Sequence, residues 1–382
     1  MLLLNCFMLL YFFSYISCFI LGICKQRRNP YIECVLLFAI GVFLCTSYFC
    51  GSDWRSYELM YDDIDCDNLF FNYFAEPGFY LYMVAFKLVN VNFWHFFIFT
   101  KFLCFVLCVS VIKQYLKEDF WISLGYFLPW FGFYLFIDCP LRNLIAVSIF
   151  IHAIYYFTNR NYFTFFFLVI IAILFHFSAL LFVPFVFLLK RKIRSGYYII
   201  IFVLVNVLFT SRDFVVFLVQ VLFGNIPYFN VKIESYLLNE NEFAVGRVFS
   251  VGMLVQFVFF AMFIIYRKYV ERSVNGIIIF NFVMLYLILY RVATTIEVFS
   301  RIQLYTSVFF CISLFLLSRV FAKKSRIIYF LYLFWVASIG TIKLFESNKY
   351  IPYSSYLQYV FKQKPSFEYR DSYNYKNSPY TP

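Results

Sequence analysis

The feature that most limits what this chain can fold into is the length of its apolar blocks. The sequence opens on MLLLNCFMLLYFFSYISCFILGIC, and similar runs of about 17–25 residues recur as far as residue 345. Each is long enough to cross a hydrocarbon core of about 30 Å as a helix. None alternates in polarity every second residue, as a barrel strand would. Charged residues are 14% of the 382, where soluble domains carry roughly 25%. The chain therefore reads as an all-α polytopic membrane protein. Its first block lacks a basic n-region and an A-x-A site, so it reads as a retained helix rather than a cleaved signal.

Polar interruptions divide the chain into about twelve membrane segments, near 2–22, 33–50, 93–112, 120–137, 141–157, 162–175, 177–189, 197–222, 248–266, 275–291, 302–318 and 327–345. Two stretches are irregular. Residues 76–91, EPGFYLYMVAFKLVNV, are short and mildly polar, which predicts an interfacial or re-entrant helix. The run 162–189 lies between two basic ends and reads as a short-armed hairpin bent near His176. Bent backbone at that depth is tolerated only where protein or a water-filled cavity receives it. The expected organisation is one transmembrane domain over 1–345, with outer loops near 51–91 and 223–247. A polar, Tyr-rich tail over 346–382 follows, its last fifteen or so residues expected to be disordered.

Charge sets the orientation. The connections at Lys25–Glu33, Lys113–Asp119, Arg160, Lys190–Arg194, Arg267–Arg272 and Arg319–Arg326 hold 17 Lys/Arg against 4 Asp/Glu. The alternate connections, from Asp53 through Arg301, hold 8 against 13. By the positive-inside rule the basic set faces the cytoplasm. The net charge of +12 therefore reports orientation and contact with anionic membrane lipid, not nucleic acid.

That topology gathers the membrane-edge cations on the outer side. Arg142, in DCPLRNLIAV, stands just inside the outer end of its helix. A charge there costs about 2.5–3.5 kcal/mol at mid-helix and less near an end. Arg247 opens a helix, and Arg291 and Arg301 bracket a turn that also carries Glu297. Asp53 and Arg55 occupy the first outer loop. Arginines at such a rim suit a diphosphate, because guanidinium binds phosphate oxygens bidentately and stays charged. A diphosphate partner is thus one candidate reason for tolerating Arg142; snorkelling to headgroups is the competing reading, strongest for Arg247 and Arg291. Asp138 before Pro140 reads as a helix N-cap. His176 is the histidine best placed to meet a substrate hydroxyl, whereas His152 reads as a core residue and His95 as interfacial.

The eleven cysteines sit mostly in apolar blocks without C-x-x-C spacing, so they indicate neither a metal site nor a disulfide framework. Cys50 and Cys66 flank one loop, where a pair is conceivable. The acidic loop DDIDCD lacks the spacing and turn glycine of a calcium loop. No G-x-x-x-x-G-K-[ST] stretch is present to support a nucleotide-driven pump.

Six short pieces, taken in order, carry a resemblance: GSDWRSY, EPGFYLY, LRNLIAV, LFHFSALLFVP, RIQLY and YIPYSSYLQY. Spread over residues 51–360, they resemble the EpsG/Wzy-type family of bacterial surface-polysaccharide polymerases. Two departures stand out: YFCGSDW has its arginine, Arg55, after the Gly-x-Asp step rather than before it. LRN, with Asn143, stands where the family often has an Arg-Gln pair. The resemblance implies a GT-C-like helical bundle in the bacterial inner membrane. Its substrate would be an oligosaccharide repeat unit on undecaprenyl diphosphate, polymerised at the periplasmic face with no cofactor and no metal. A flippase and a chain-length regulator of the same pathway are the implied partners. In that setting Arg142 and Arg301 would stabilise the departing diphosphate, and His176 would orient or deprotonate the acceptor hydroxyl. Asp53, Glu76 and Glu297 are secondary candidates for the base or for sugar contacts. Arg55, Asn143, Arg247 and Arg291 complete the expected substrate-binding set. A ligase of finished glycan shares these features, and a flippase would also need cations round a lipid diphosphate. A flippase should expose them to both faces, which the one-sided clustering disfavours.

Overall fold

The computed structural model describes residues 2–24, 29–64, 76–223, 250–295 and 299–377. Their regular structure is helical, apart from one isolated bridge between Ser47 and Ser355. The first helices are α1 (Leu2–Ile23), α2 (Pro30–Cys45), α3 (Trp54–Asp62), α4 (Pro77–Leu88) and α5 (Phe93–Leu116). Then come α6 (Phe120–Phe127), α7 (Leu141–Thr158), α8 (Tyr162–Phe175), α9 (Val183–Leu189), α10 (Ser195–Leu208) and α11 (Arg212–Phe223). The last are α12 (Val251–Ile265), α13 (Arg267–Glu271), α14 (Gly276–Thr295), α15 (Ser300–Leu317), α16 (Lys323–Leu344) and α17 (Phe367–Asn377). Among the described residues, five stretches are long and apolar enough to cross a membrane: Phe93–Gly132, Leu141–Thr158, Gly276–Thr295, Ser300–Val320 and Lys323–Leu344. Six further apolar helices are shorter. This is an all-α, multi-pass membrane protein.

Several boundaries differ from the sequence reading. The segments expected at 93–112 and 120–137 correspond to α5 and to α6 with the turns that carry it to Asp138, separated where Lys117 takes a φ of 52°. The single segment expected at 197–222 is two helices, because Ser211 caps α11 by accepting from the Phe214 N–H at 3.4 Å. Over 76–91, α4 has 12 residues, about 18 Å of helix and too short to span. Asp138 is not a helix cap. The N-cap position of α7 belongs to Pro140, and Asp138 accepts instead from Ser52, through its N–H at 2.8 Å and its hydroxyl at 2.7 Å. That approach requires Gly51, whose φ is +83° and whose missing Cβ would stand 2.4 Å from the Ile137 carbonyl oxygen.

Contacts cluster into two compact units where the sequence reading expected one domain over 1–345: Met1–Leu180 with Phe321–Pro382, and Leu181–Val320. In the first unit α1 packs along α6 and α16, α5 on α2 and α7, α7 on α8, and α4 on α8. Lys101, inside α5, is fully buried and donates to the Ser47 hydroxyl at 2.7 Å. The wide-turned stretch Leu128–Asp138 continues α6 through Pro129, which cannot donate to an α-helical ladder.

The described part of the tail, as far as residue 377, packs within this unit. Tyr356 N–H donates to the Thr46 carbonyl at 2.7 Å, Tyr48 N–H to that of Ser354 at 2.9 Å, and Gly51 N–H to that of Lys349 at 2.7 Å. In place of the disorder expected near the end, Phe367–Asn377 form a helix, and Asn374 donates to the Phe49 carbonyl at 3.0 Å. The reason is a set of long-range partners that composition cannot reveal. Cys50 is buried as a free thiol; Cys66, its conceivable partner, lies outside the described residues.

In the second unit α14 and α15 pack face to face through Phe282 stacked on Phe309 and Tyr286 on Phe310. Asn281 on α14 donates to the Leu189 and Arg191 carbonyls at 2.6 and 2.9 Å, closing the end of α9.

Candidate functional site

Three short pieces of the first unit converge on one carboxylate. Pro77 starts α4, and Glu76 before it holds the N-cap position. Its side chain makes no cap bond, while its carbonyl accepts from Phe79 and Tyr80. The carboxylate is therefore directed away from its own helix. Gly78 sets how closely α4 lies on α8: a Cβ there would stand 2.8 Å from the Leu174 Cβ and 3.0 Å from the Leu174 backbone. Any larger residue would push the two helices apart. At the end of α8, His176 turns extended, with φ −156° and ψ 119°, so the helix breaks where the sequence reading put a bend. The break leaves the imidazole beside α4.

The result is a bridged triad. One oxygen of Glu76 is bound to His176 Nδ1. The other is 2.8 Å from Nη1 of Arg142, at the start of α7. A carboxylate can only accept here, so His176 is the donor and its Nδ1 carries the proton. The Glu76 side chain is 5% exposed and that of Arg142 31%. Arg142 also donates to the Tyr57 hydroxyl, and its guanidinium carbon lies 5.7 Å from the centre of the Tyr57 ring. Burial pushes the Tyr57 phenol up to about 12, with the Arg142 guanidinium opposing, so the phenol keeps its proton at neutral pH. The charge of Arg142 is thus offset from within the protein, by an acid and a tyrosine.

Beside the triad lies a cavity of about 410 Å³, within the range of small-ligand pockets. Glu76 and Arg142 line its polar side, with Asp63; Phe79, Tyr80, Met83, Met60 and Ile64 make the apolar remainder. His176 is not part of the wall and reaches it through Glu76. The pocket can therefore take a ligand with a polar, oxygen-rich end and an apolar flank.

The other expected site residues fall elsewhere. Arg55 pairs with Asp371 of α17 and donates to the Gly51 carbonyl at 2.7 Å. Asp53 accepts from the Ser52 hydroxyl at 3.3 Å ahead of α3. Asn143 is buried on α7, its amide nitrogen 3.5 Å from the Ser178 hydroxyl, and so ties α7 to the break after α8. Arg291, in the second unit, is buried against the Phe209 carbonyl at 3.3 Å and the Met253 sulfur at 2.9 Å. Arg301 is the second residue of α15, half-buried, also in the second unit. Arg247 and Glu297 lie outside the described residues.

Sequence reasoning missed Tyr57, and it gave Glu76 only a secondary place. Tyr57 ends the GSDWRSY piece, but it is one of 34 tyrosines and nothing local singles it out. The EPG step was the available signal for Glu76: a helix start with an acid before the proline and a close-packing residue after it.

Residues 31–359 match the model of the EpsG family. No curated protein and no solved structure matches the chain. The family match runs through α3, α4, α7 and the His176 break that build the triad, and it covers most of the sequence. This chain belongs to the EpsG family, whose members are polysaccharide polymerase-like.

Proposed function

We propose that the protein is a polymerase joining oligosaccharide repeat units carried on undecaprenyl diphosphate, at the periplasmic face of a bacterial inner membrane. The single observation supporting this reading is the Glu76 carboxylate held between Arg142 and His176 on the wall of the cavity. In the reaction, the bond between the donor's anomeric carbon and a diphosphate oxygen breaks. A bond from that carbon to the acceptor hydroxyl oxygen forms, and the hydroxyl proton passes to the Glu76–His176 pair. Arg142 takes up charge building on the departing lipid diphosphate, a contribution of about 3–4 kcal/mol for one well-placed donor. Diphosphate is a stable leaving group, so no protonating acid is needed. Glu76, which touches the cavity, replaces His176 as the group facing the acceptor, and His176 orients it. A diphosphate role for Arg301 rests on the sequence reading and is tested separately.

The test is the surface product in cells carrying Glu76→Gln, Arg142→Gln or His176→Ala at normal membrane abundance. The reading expects single repeat units on the surface carrier, with the long polymer lost. Full-length chains in all three variants would sink the site. Repeat units trapped inside the cell would indicate a flippase, and free unattached polymer a ligase.

A further inference from the structure

Beyond residue 359 the chain no longer matches the family model, yet it makes a buried ion pair with the first unit. Arg370 on α17 donates from Nη1 to Glu58 Oε2 at 2.6 Å, and both side chains are buried. The other Glu58 oxygen accepts from Trp94 Nε1 of α5 at 2.9 Å. The Arg370 guanidinium sits 5.3–5.7 Å from the ring centres of Tyr48, Trp54, Trp94 and Phe367, a cation enclosed by aromatic faces. One turn earlier on α3, Arg55 binds the Asp371 carboxylate and, at 3.1 Å, its carbonyl. Adjacent residues of α17 thus meet residues three apart on α3, with opposite polarity in the two pairs. Residues three apart share a helix face, so the two pairs define one register: a slip of α17 along α3 loses both. The residue preceding Glu58 is Tyr57, which takes the hydrogen bond from Arg142, and Met60 beyond it lines the cavity.

We propose that α17 is a positioning clasp, in which Arg370 holds Glu58 and so fixes α3 with Tyr57 set against Arg142. The proposal rests on the reading of Arg142 as part of the site. Arg370 touches no substrate; it acts through Tyr57. The physical basis is that a reacting group displaced by about 1 Å can lose some hundredfold in rate.

The experiment uses the full-length protein in lipid bilayer discs, turning over the lipid-linked repeat unit extracted from cells lacking it. Arg370→Gln is expected to lower turnover about tenfold to hundredfold, and Arg370→Lys to restore part of it. The decisive measurement is a double-mutant cycle with Tyr57→Phe. If Arg370 acts through Tyr57, adding Arg370→Gln to Tyr57→Phe costs nothing further, whereas a general loss of folding lowers both backgrounds by the same factor. Equal factors, or unchanged turnover in Arg370→Gln, overturn the proposal. Should Arg370→Gln fail to accumulate, Glu58→Gln with Arg370→Gln removes both buried charges and enters the same cycle. Full turnover in Arg142→Ala sinks the underlying reading; loss there with full turnover in Arg370→Gln sinks the clasp alone.

Discussion

Arg142 and Arg291 are both arginines near the ends of apolar helices, and the sequence presents them as two of a kind. Their surroundings are different. Arg142 has a carboxylate at 2.8 Å and a tyrosine hydroxyl for partners, and it lines a cavity. Arg291 is buried against a backbone carbonyl and a methionine sulfur. The Arg291 contacts are those of an interior residue that saturates the last carbonyls of a neighbouring helix: Thr295, one turn on, donates to the same Phe209 oxygen at 2.7 Å. A membrane-embedded cation signals that something offsets its charge, and only the partner tells whether that something is chemistry or packing. The lesson is that charge position alone over-selects.

The comparison breaks most readily at the acid. Removing one member of a buried pair leaves the other uncompensated, at a cost of about 3–5 kcal/mol. Glu76→Ala is therefore expected both to abolish polymer and to lower the thermal unfolding midpoint; Glu76→Ala with Arg142→Ala should regain stability but not polymer. A double variant as unstable as the single one would mean that the two residues are not a pair. Next in size is the Gly78→Val wedge, which should separate Glu76 from His176 and cut polymer output about tenfold to hundredfold while the protein still accumulates. Wild-type polymer in that variant would show that the α4–α8 approach does not set the site. Smaller is Arg301→Gln, where a loss of about tenfold or more in polymer would support its diphosphate role and a change under twofold would remove it from the site. The least effect is expected from Arg291→Met, an apolar side chain of similar length, which should leave polymer within about twofold because the Phe209 carbonyl it meets keeps the Thr295 hydroxyl as a donor at 2.7 Å. A defect as deep as that of Arg142→Ala would erase the distinction drawn between the two arginines.

Parts of this site were legible beforehand. The break at His176 follows from a short apolar run between basic ends, and the short helix after Glu76 follows from EPG with mild polarity. Local rules act within a few residues, and both features obey them. The bridging carboxylate was not legible, because Glu76 and His176 are 100 residues apart and no periodicity relates them. The same holds for Arg370 and Glu58, separated by 312 residues, which is why Phe367–Asn377, falling mostly in the last fifteen or so residues expected to be disordered, is a packed helix. A tail becomes ordered when its partners repay the entropy of fixing it, and composition counts the residues without locating the partners.

By itself, the sequence determined that the chain lives in a membrane as helices, because only helices and closed barrels satisfy the backbone in lipid and these apolar blocks lack a barrel strand's alternation. It also determined the family, through motifs kept in order. Tertiary structure alone decided which of several acids, arginines and histidines meet. A hydrogen bond or ion pair depends on distances of about 3 Å between side chains, and those distances are set by how α4, α7 and α8 pack, not by what any one of them contains.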